Sequence, residues 1–566
     1  MKVKHLKDNK ERLSYFSSLY AKALIAKTKP FTLFRDQYEG KRRTEGINAV
    51  NARYCRNITF ELIESEISSD VPAPSVKAKS ENERDQENAR KITNFLKNIR
   101  GNLPFEVLND SDERNAYVFG TSFYLVEWDE KNNCVSLKVL SPENVVPQED
   151  VKEIEDMDYI FLTFVDTREG IYQKFGKIIA DDNAEIVVCY FKNDEDKVSQ
   201  AVFTTDVLLA YTEDVYAKKS EVCKHCGEIK GLCKCGKEDY ENKGVSSKEI
   251  FEDVFDDNGQ ILIPKYSPVY KNGEIQTEKV FDQKTGQMIE VPKMKRTVIP
   301  KYTFNNFPII KRSNIPSDEF FAISDCEMLW PTQMELSKIE TRIIEKILKA
   351  GVIPYSSETC DITFTDEIYT RGVKLKNAQE RALLGVLDIG VNVSADVMEA
   401  ERLYQQGKRL LGISDSFQGL SDQTAISGYA KEMLIQRSNA RLLSKRIMKN
   451  CAYESLDKLI FKFYLAFYDY GRSSFMESLE EFCPYDYLLL TKDGEYAYYD
   501  DYIFTTDSSV DVLADPVNLW KEIKSNFTLG VYGDPNSVEA KVLFWKNMEK
   551  ARYPMAKENG EVIKGG

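Results

Sequence analysis

The chain has 566 residues, 42% of them hydrophobic and 30% charged, which is typical of a folded, water-soluble protein long enough for roughly three to four domains. No stretch approaches the roughly 18 uncharged apolar residues of a membrane helix, and Met1 to Arg12 lacks the apolar core of a signal peptide. The 77 Lys and Arg against 91 Asp and Glu give a net charge of −14, so any contact with nucleic acid would need a local basic patch.

Histidine and cysteine usage narrows the possible functions further. The two histidines are His5 and His225, which leaves Ser-His-Asp and Cys-His catalysis almost without candidates. Seven of the eleven cysteines are scattered singly, without the spacing of a disulfide framework, which favours a reducing compartment.

The first half of the chain changes from helical to strand-like periodicity at Gly120. Helical patterns cover Ile47 to Ile67 and Glu81 to Ile99, and a third ends at Gly120. Predicted strands follow, the first two as a hairpin: Phe123 to Trp128, Cys134 to Leu140, Tyr159 to Val165, Ile186 to Phe191 and Val207 to Tyr211. The polar, cysteine-rich stretch at about 218–257 is predicted to be an insertion, after which shorter strands return.

Helical periodicity returns at Ser324, which begins a predicted capping box with Glu327. Pro331 implies a kink or a restart. The helix has an apolar stripe at Leu336, Ile339, Ile343 and Ile347 and an opposite polar face at Lys338, Arg342, Glu345 and Lys349.

A compact stretch with strand-like pieces then leads to a second helix with Ser394 as its predicted N-cap. A loop rich in Gly, Ser and Asp follows at Gly412 to Gly428, and the longest helical pattern runs over about Thr424 to Tyr470.

The strongest local motif is a cluster of four cysteines. Cys223 and Cys226 are followed after a short gap by Cys233 and Cys235, and a glycine follows each pair. Such dense thiolates favour tetrahedral zinc, which would be structural because no coordination position stays open. The second pair is spaced C-x-C, and His225 is an alternative ligand. A redox pair or unligated thiols are the other interpretations.

Six segments, taken in order, resemble the portal proteins of tailed bacteriophages. They are Gly120 to Trp128, Leu140 to Pro147, Phe307 to Ile310, Ser324-Asp325, Leu411 to Ile413 and Thr424 to Ala430. The resemblance spans roughly residues 45–470.

The resemblance implies an α+β portal fold: a mixed α/β wing, a stem of long helices, a small α/β clip, a tunnel loop and a helical C-terminal crown. The implied divisions are 1–323 for the N-terminal wing part, 324–351 and 394–412 for the stem helices, 352–393 for the clip, 413–427 for the tunnel loop, 428–482 for the long wing helix and 483–566 for the crown.

It also implies a non-enzymatic ring, usually of twelve subunits, that is assembled in the host cytoplasm and sits at one capsid vertex of the virion. Double-stranded DNA would pass through the ring during packaging and ejection. The implied partners are the major capsid protein, the scaffold, the terminase and the head-completion adaptor, with no membrane.

Candidate functional residues follow from that assignment. In the tunnel loop, the residues expected near DNA are Gln418, Ser421, Asp422 and Gln423. In the clip, the residues expected to contact the adaptor are Asp361, Thr363, Thr365, Lys374 and Lys376. The polar face of the first stem helix is expected to lie either along the channel or against a neighbouring subunit.

Two other classes remain as alternatives. A nucleic-acid-binding or processing protein that contains a zinc ribbon would be a monomer or dimer with measurable affinity at physiological salt. An enzyme that works with carboxylates alone has no positive motif in this sequence.

Overall fold

A computed structural model describes most of the chain. The described residues are 8–41, 56–217, 219–223, 240–244, 247–250, 253–255, 261–271, 274–281, 288–349, 351–356, 384–389, 392–413, 428–468, 482–491, 494–507, 516–535, 537–550, 553, 555–556 and 559–560.

The described chain is mixed α+β, as the sequence predicts. The helices are α1 (Asn9–Ala26), α2 (Phe31–Tyr38), α3 (Ile58–Glu66), α4 (Glu83–Asn102), α5 (Phe105–Phe119), α6 (Arg168–Phe175), α7 (Asp325–Lys349), α8 (Ser394–Leu411), α9 (Gly428–Phe467), α10 (Pro516–Thr528) and α11 (Val538–Lys550).

Most of the strands lie between α5 and α7. They are β1 (Ala73–Ala78), β2 (Thr121–Asp129), β3 (Cys134–Leu140), β4 (Val145–Pro147), β5 (Tyr159–Thr167), β6 (Asn183–Lys192), β7 (Val198–Phe203), β8 (Leu208–Thr212), β9 (Lys219–Cys223), β10 (Tyr240–Gly244), β11 (Ser247–Glu249), β12 (Val254–Phe255), β13 (Ile261–Ile263), β14 (Tyr266–Pro268), β15 (Tyr270–Lys271), β16 (Glu274–Ile275), β17 (Thr277–Phe281), β18 (Met288–Pro292), β19 (Met294–Arg296), β20 (Val298–Pro300), β21 (Ile309–Ser313), β22 (Gly351–Ser356), β23 (Leu384–Ile389), β24 (Leu488–Leu490), β25 (Tyr496–Tyr498) and β26 (Tyr502–Asp507).

The main core forms around a three-stranded antiparallel sheet in the order β21-β2-β3. The predicted hairpin is confirmed, with Phe123 opposite Leu140. Helices α5 and α9 pack on this sheet, α4 packs on α9 and β1, and together they bury large aromatic side chains, among them Phe95, Tyr124 and Tyr464. Because the sheet is covered by helices, β2 is almost continuously apolar and buried.

A second antiparallel sheet, in the order β4-β5-β6-β7-β8, carries one helix on each face. Phe16 of α1 packs on Phe191, with their ring centroids 5.1 Å apart. Ile171 of α6 packs in a different cluster, which contains Ile186. Since side chains alternate between the two faces of a strand, residues at odd and even positions of β6 pack against different helices.

The helices α7 and α8 form an antiparallel hairpin whose base is buried. Leu329 and Leu336 of α7 pack with Leu403 and Leu411 of α8, and α3 closes the same cluster through Leu62. Strands β22 and β23 continue the hairpin, with Gly351 opposite Ile389. The two predicted helices are therefore present, whereas the strand-like pieces predicted at 362–364 and 372–375 lie outside the described residues.

The structure tests the predicted caps of α7 and α8 and the predicted effect of Pro331. The Glu327 backbone N–H donates to Ser324 Oγ at 2.9 Å, which confirms Ser324 as a cap, and α7 runs through Pro331 without a restart. Ser394 is the first helical residue and not the N-cap. Asn392 Oδ1 accepts the Ser394 backbone N–H at 3.0 Å, because an amide oxygen two residues earlier reaches that donor.

The described residues after 482 pack in two different clusters. β26 pairs with β1, with Phe504 opposite Val76, and Phe504 lies in the main core. α10 and α11 instead share a small cluster that contains Ile523 and Phe544. The C-terminal stretch therefore divides after Asp507, because residues far apart in sequence pair in one sheet.

The described residues between 266 and 296 form three strand pairs that meet at one junction. Val269, Gln276 and Lys293 join three strand pairs through a closed set of backbone hydrogen bonds, each 2.8 Å long. From this junction extend the β14–β19 pair, the β15–β16 pair and the β17–β18 pair. The short strands predicted here thus belong to isolated pairs.

Gly120 allows α5 to end against the chain that precedes α7. Its φ is +84°, and a Cβ there would lie 2.3 Å from the carbonyl oxygen of Ala322. The Gly120 carbonyl also accepts the Asn314 N–H at 2.8 Å. Both the backbone conformation and the close approach therefore require glycine.

We expect Gly120→Ala to lower the free energy of unfolding by about 2 to 5 kcal/mol, through left-handed strain and a backbone clash. The control is Gly407→Ala inside α8, where the nearest atom, Ile58 Cδ1, would be 3.4 Å from the new Cβ. That variant should be neutral or gain up to about 1 kcal/mol from helix propensity. Urea unfolding measures both, and an equal effect of the two substitutions would contradict this account.

Candidate functional site

The structure brings together four of the segments that carry the resemblance. β2 begins at Thr121 and pairs with β21, whose Ile310 lies opposite Tyr124. The Thr121 hydroxyl accepts the Ala322 N–H at 2.9 Å, just before Ser324 caps α7. The turn after β3 is capped by Ser141, whose hydroxyl accepts the Glu143 N–H. These segments thus form the junction from which the α7–α8 hairpin extends.

A buried row of polar side chains on α9 faces this junction. Its members stand four residues apart and therefore lie on one side of the helix. We call Lys445, Lys449, Tyr453 and Asp457 the polar stripe of α9. All four are buried.

Lys445 joins α9 to the start of α7. Its ammonium lies 2.6 Å from Glu66 Oε2 on α3 and 2.7 Å from Asp325 Oδ2. Burial raises the pKa of Glu66 to about 8, and the neighbouring Asp325 adds to the effect while Lys445 opposes it. At neutral pH Glu66 is therefore mostly protonated, so Lys445 is shared by Asp325 and a largely neutral Glu66.

Lys449 joins α9 to α5 and β21. Its ammonium lies 2.9 Å from Glu113 Oε1 and 2.6 Å from the Asp70 carbonyl oxygen. Arg312 of β21 bonds the same Glu113 oxygen at 2.7 Å and also pairs with Asp112. Although burial opposes ionisation, Arg312 and Lys449 hold the pKa of Glu113 below its ordinary value. Glu113 therefore remains charged between two cations.

The other end of the stripe binds α4 and α5. Asp457 Oδ2 accepts from Arg100 at 2.6 Å, and burial raises the pKa of Asp457 even though Arg100 opposes it. Tyr453 donates its hydroxyl to Asn109 Oδ1 and accepts one from Tyr124, both at 3.2 Å. Because each partner comes from a different element, the stripe fixes how α9 is placed along its length.

The predicted polar face of α7 is described in part. Lys338 pairs with Glu335 at 2.7 Å within the helix, while Arg342 pairs with Asp396 of α8 at 2.5 Å. Glu345 is half-buried, and the Lys349 side chain lies outside the described residues. Lys346, which the sequence analysis missed, also pairs with Asp396, and together these cations hold the pKa of Asp396 below its ordinary value. Arg342 therefore joins the two helices of the hairpin.

The remaining predicted residues lie outside the described residues. These are Gln418, Ser421, Asp422 and Gln423 of the loop before α9, Asp361, Thr363, Thr365, Lys374 and Lys376 between β22 and β23, and Cys226, Cys233 and Cys235. Cys223 ends β9, opposite Tyr240 of β10. The two strands are antiparallel, so the segment that holds the other three cysteines starts and ends at neighbouring positions.

The sequence analysis missed the polar stripe, although its spacing was visible. Lys445, Lys449 and Asp457 interrupt the apolar pattern of α9 at intervals of four or eight residues, which a solvent-facing row would also do. Their acidic partners come from distant segments, so periodicity alone does not separate a buried row from an exposed one.

The comparisons with known proteins add no family. No protein-family model matches this chain, and no curated protein matches it. Among the described helices, none is long and apolar enough to cross a membrane. A function for this chain can therefore be proposed only from this geometry and from the resemblance of the six segments.

Glu66 should make stability depend on pH in one direction. Folding raises the pKa of this carboxyl group from 4.5 to about 8, so the folded state favours its protonated form. The contribution of this group to stability is therefore fully present below pH 4.5 and is lost as the pH rises through 8. We expect wild-type stability to fall between pH 5.5 and 7.5 by up to about 1.4 kcal/mol per pH unit. Glu66→Gln, which mimics the protonated acid, should flatten the slope.

Thermal unfolding across this pH range measures the effect. Glu83→Gln, at an exposed position in the first turn of α4, is the matched control and should keep the wild-type slope. An unchanged slope in Glu66→Gln would show that this carboxyl group is ionised in the folded protein.

Proposed function

We propose that this chain is the subunit of a portal-type ring, a channel at one capsid vertex through which double-stranded DNA is packaged and later ejected. It acts without catalysing a reaction, and it docks first the terminase motor and then the head-completion adaptor. Its place is the virion, after assembly with capsid and scaffold proteins in the host cytoplasm.

One observation carries the proposal. The α7–α8 hairpin, which is extended by β22 and β23, is followed in the chain by the 40-residue helix α9. The polar stripe fixes α9 to the helices and strands of the main core. A channel wall needs a rigid projecting element whose base does not move when DNA passes. The buried base of the hairpin and the Lys445–Asp325 contact support that requirement, because α7 and α8 pack with α3 in one cluster and the first residue of α7 is bound by α9.

Exposed apolar side chains on the hairpin support assembly with other copies. Ile347 near the end of α7 is 54% exposed, and Val397 and Met398 near the start of α8 are 49% and 68% exposed. They lie at the same end of the hairpin, where Lys346 pairs with Asp396. Apolar groups gathered at one end of a projection indicate a contact surface rather than isolated exposure.

The charge of the chain suits a passage that does not hold DNA. Twelve chains of −14 each would carry about −170 in total. Each cation that neutralises a phosphate adds salt-dependent affinity, and Lys338 and Arg342 are already paired with carboxylates. We propose that the loop at 413–427 supplies weak polar contacts to DNA and that the clip, 352–393, contacts the adaptor.

The proposal predicts that Met398→Glu weakens the ring without unfolding the chain, because a charge would enter an apolar contact between subunits while the side chain is exposed in the single chain. Light scattering after gel filtration should give a mass near twelve times 65.1 kDa for the wild type and a smaller mass for the variant. The control is Ile178→Glu, at a 74% exposed position beside the five-stranded sheet.

Circular dichroism of both variants should match the wild type. A wild-type monomer or dimer that binds nucleic acid tightly at physiological salt would contradict the proposal and favour the zinc-ribbon alternative.

We also propose that the four cysteines hold one structural zinc. The antiparallel β9–β10 pair ends at Cys223 and Tyr240, so the thiols occupy a closed segment in which four soft ligands suit tetrahedral zinc. Metal analysis should give about one zinc per chain, lost in the Cys223→Ser, Cys226→Ser variant. Cys134→Ser, at a buried position outside the segment, is the control. A ratio near zero in chelator-free protein would contradict the zinc site.

A further inference from the structure

A cleft lies between α9, the 3₁₀ turn Ile154–Asp156 and the chain that enters β21. It has a volume of about 330 Å³. Three lysines line it: Lys192 at the end of β6, and Lys458 and Lys462 on α9. Glu155 is the single carboxylate among its lining residues, so this cleft is locally basic in a chain whose net charge is −14.

Two of the three ammonium groups are held by neutral acceptors. Lys192 donates to the Glu155 carbonyl oxygen at 2.7 Å, and Lys462 donates to Asn306 Oδ1 at 2.8 Å. Among the described residues, no carboxylate lies within ion-pair distance of Lys458, which is exposed. Each ammonium has three donors, so donors remain for a ligand.

Lys458 and Lys462 lie close enough to repel each other. Burial lowers the pKa of Lys462, and repulsion from Lys458 adds to the shift, while Asp500 opposes it. Phe307 and Leu459 form apolar walls of the cleft. Cations close to one another beside apolar walls attract an anion more strongly than cations spread over an exposed surface.

We propose that this cleft binds a phosphate group, with Lys192, Lys458 and Lys462 as its cationic ligands. Lysine ammonium groups bind phosphate as point charges, and three of them in one small cleft suit the compact, multiply charged phosphate better than the spread charge of an acidic peptide. The phosphate comes either from a free small molecule or from a nucleic-acid backbone. This site is independent of ring formation.

Calorimetric titration with inorganic pyrophosphate at low salt tests the site. The wild type should bind in a saturable manner, Lys458→Gln should bind about tenfold more weakly, and Lys458→Arg should stay within about threefold because it keeps the charge. The matched control is Lys97→Gln, at an exposed position on α4, which should bind like the wild type. The absence of saturable binding, or an equal loss in Lys97→Gln, would overturn the proposal.

A second experiment identifies whether the phosphate belongs to a small molecule or to a nucleic-acid backbone. If a short fluorescein-labelled DNA duplex binds, depends on Lys458 and is displaced by pyrophosphate, the ligand is a nucleic-acid backbone. If pyrophosphate binds and the duplex does not, it is a free phosphate compound. A poly-glutamate peptide that displaces pyrophosphate at a lower concentration than phosphate does would overturn the proposal in favour of an acidic peptide. Light scattering of Lys458→Gln separates this result from any failure of ring assembly.

Discussion

The polar stripe of α9 is the constraint on which the rest of the structure depends. Placing charges in a protein interior is costly, and a buried ion pair is stable only when both partners and their hydrogen bonds are present. Sliding α9 by one turn in either direction would separate Asp457 from Arg100 and would put Tyr453 at the position of Lys449 or of Asp457. Apolar packing alone tolerates such slips more easily, so the charges select one position for the helix.

That single position links the body to the hairpin. Asp325 is both the first residue of α7 and a partner of Lys445, and Asn314 Nδ2 donates to its other oxygen at 3.2 Å. Gly120 lets the chain before α7 lie against the end of α5. The direction of the hairpin is therefore set by contacts in the main core, and the exposed apolar residues at its far end are presented at a fixed place.

The sequence predicted those elements whose signal is local. The β2–β3 hairpin, the α7–α8 hairpin and the long α9 follow from periodicity and turn residues. Pairing of β26 with β1 joins residues more than 400 positions apart, and no local pattern encodes it, so the sequence alone could not place β26 in the main core. The buried charges were missed for a related reason, because a lysine in a helix is usually a surface residue and its acidic partner is visible only in three dimensions.

The candidate functional residues likewise differ in whether a local sequence pattern reveals them. Arg342 was predicted from helical spacing, yet its pairing with Asp396 of α8 shows that the polar face of α7 partly holds the hairpin together. The cationic cleft beside α9 combines lysines from β6 and α9 and has no signature in either segment alone. Both features are thus formed where distant segments meet.

We propose that the α7–α8 hairpin forms the wall of a channel between copies of this chain. Three-dimensional reconstruction of the purified particle by electron microscopy tests it most directly. The account predicts a closed ring with a central hole lined by α7 and α8, and with α9 directed back into the outer body. A ring whose hairpins point away from the axis, or a particle without a central hole, would contradict it.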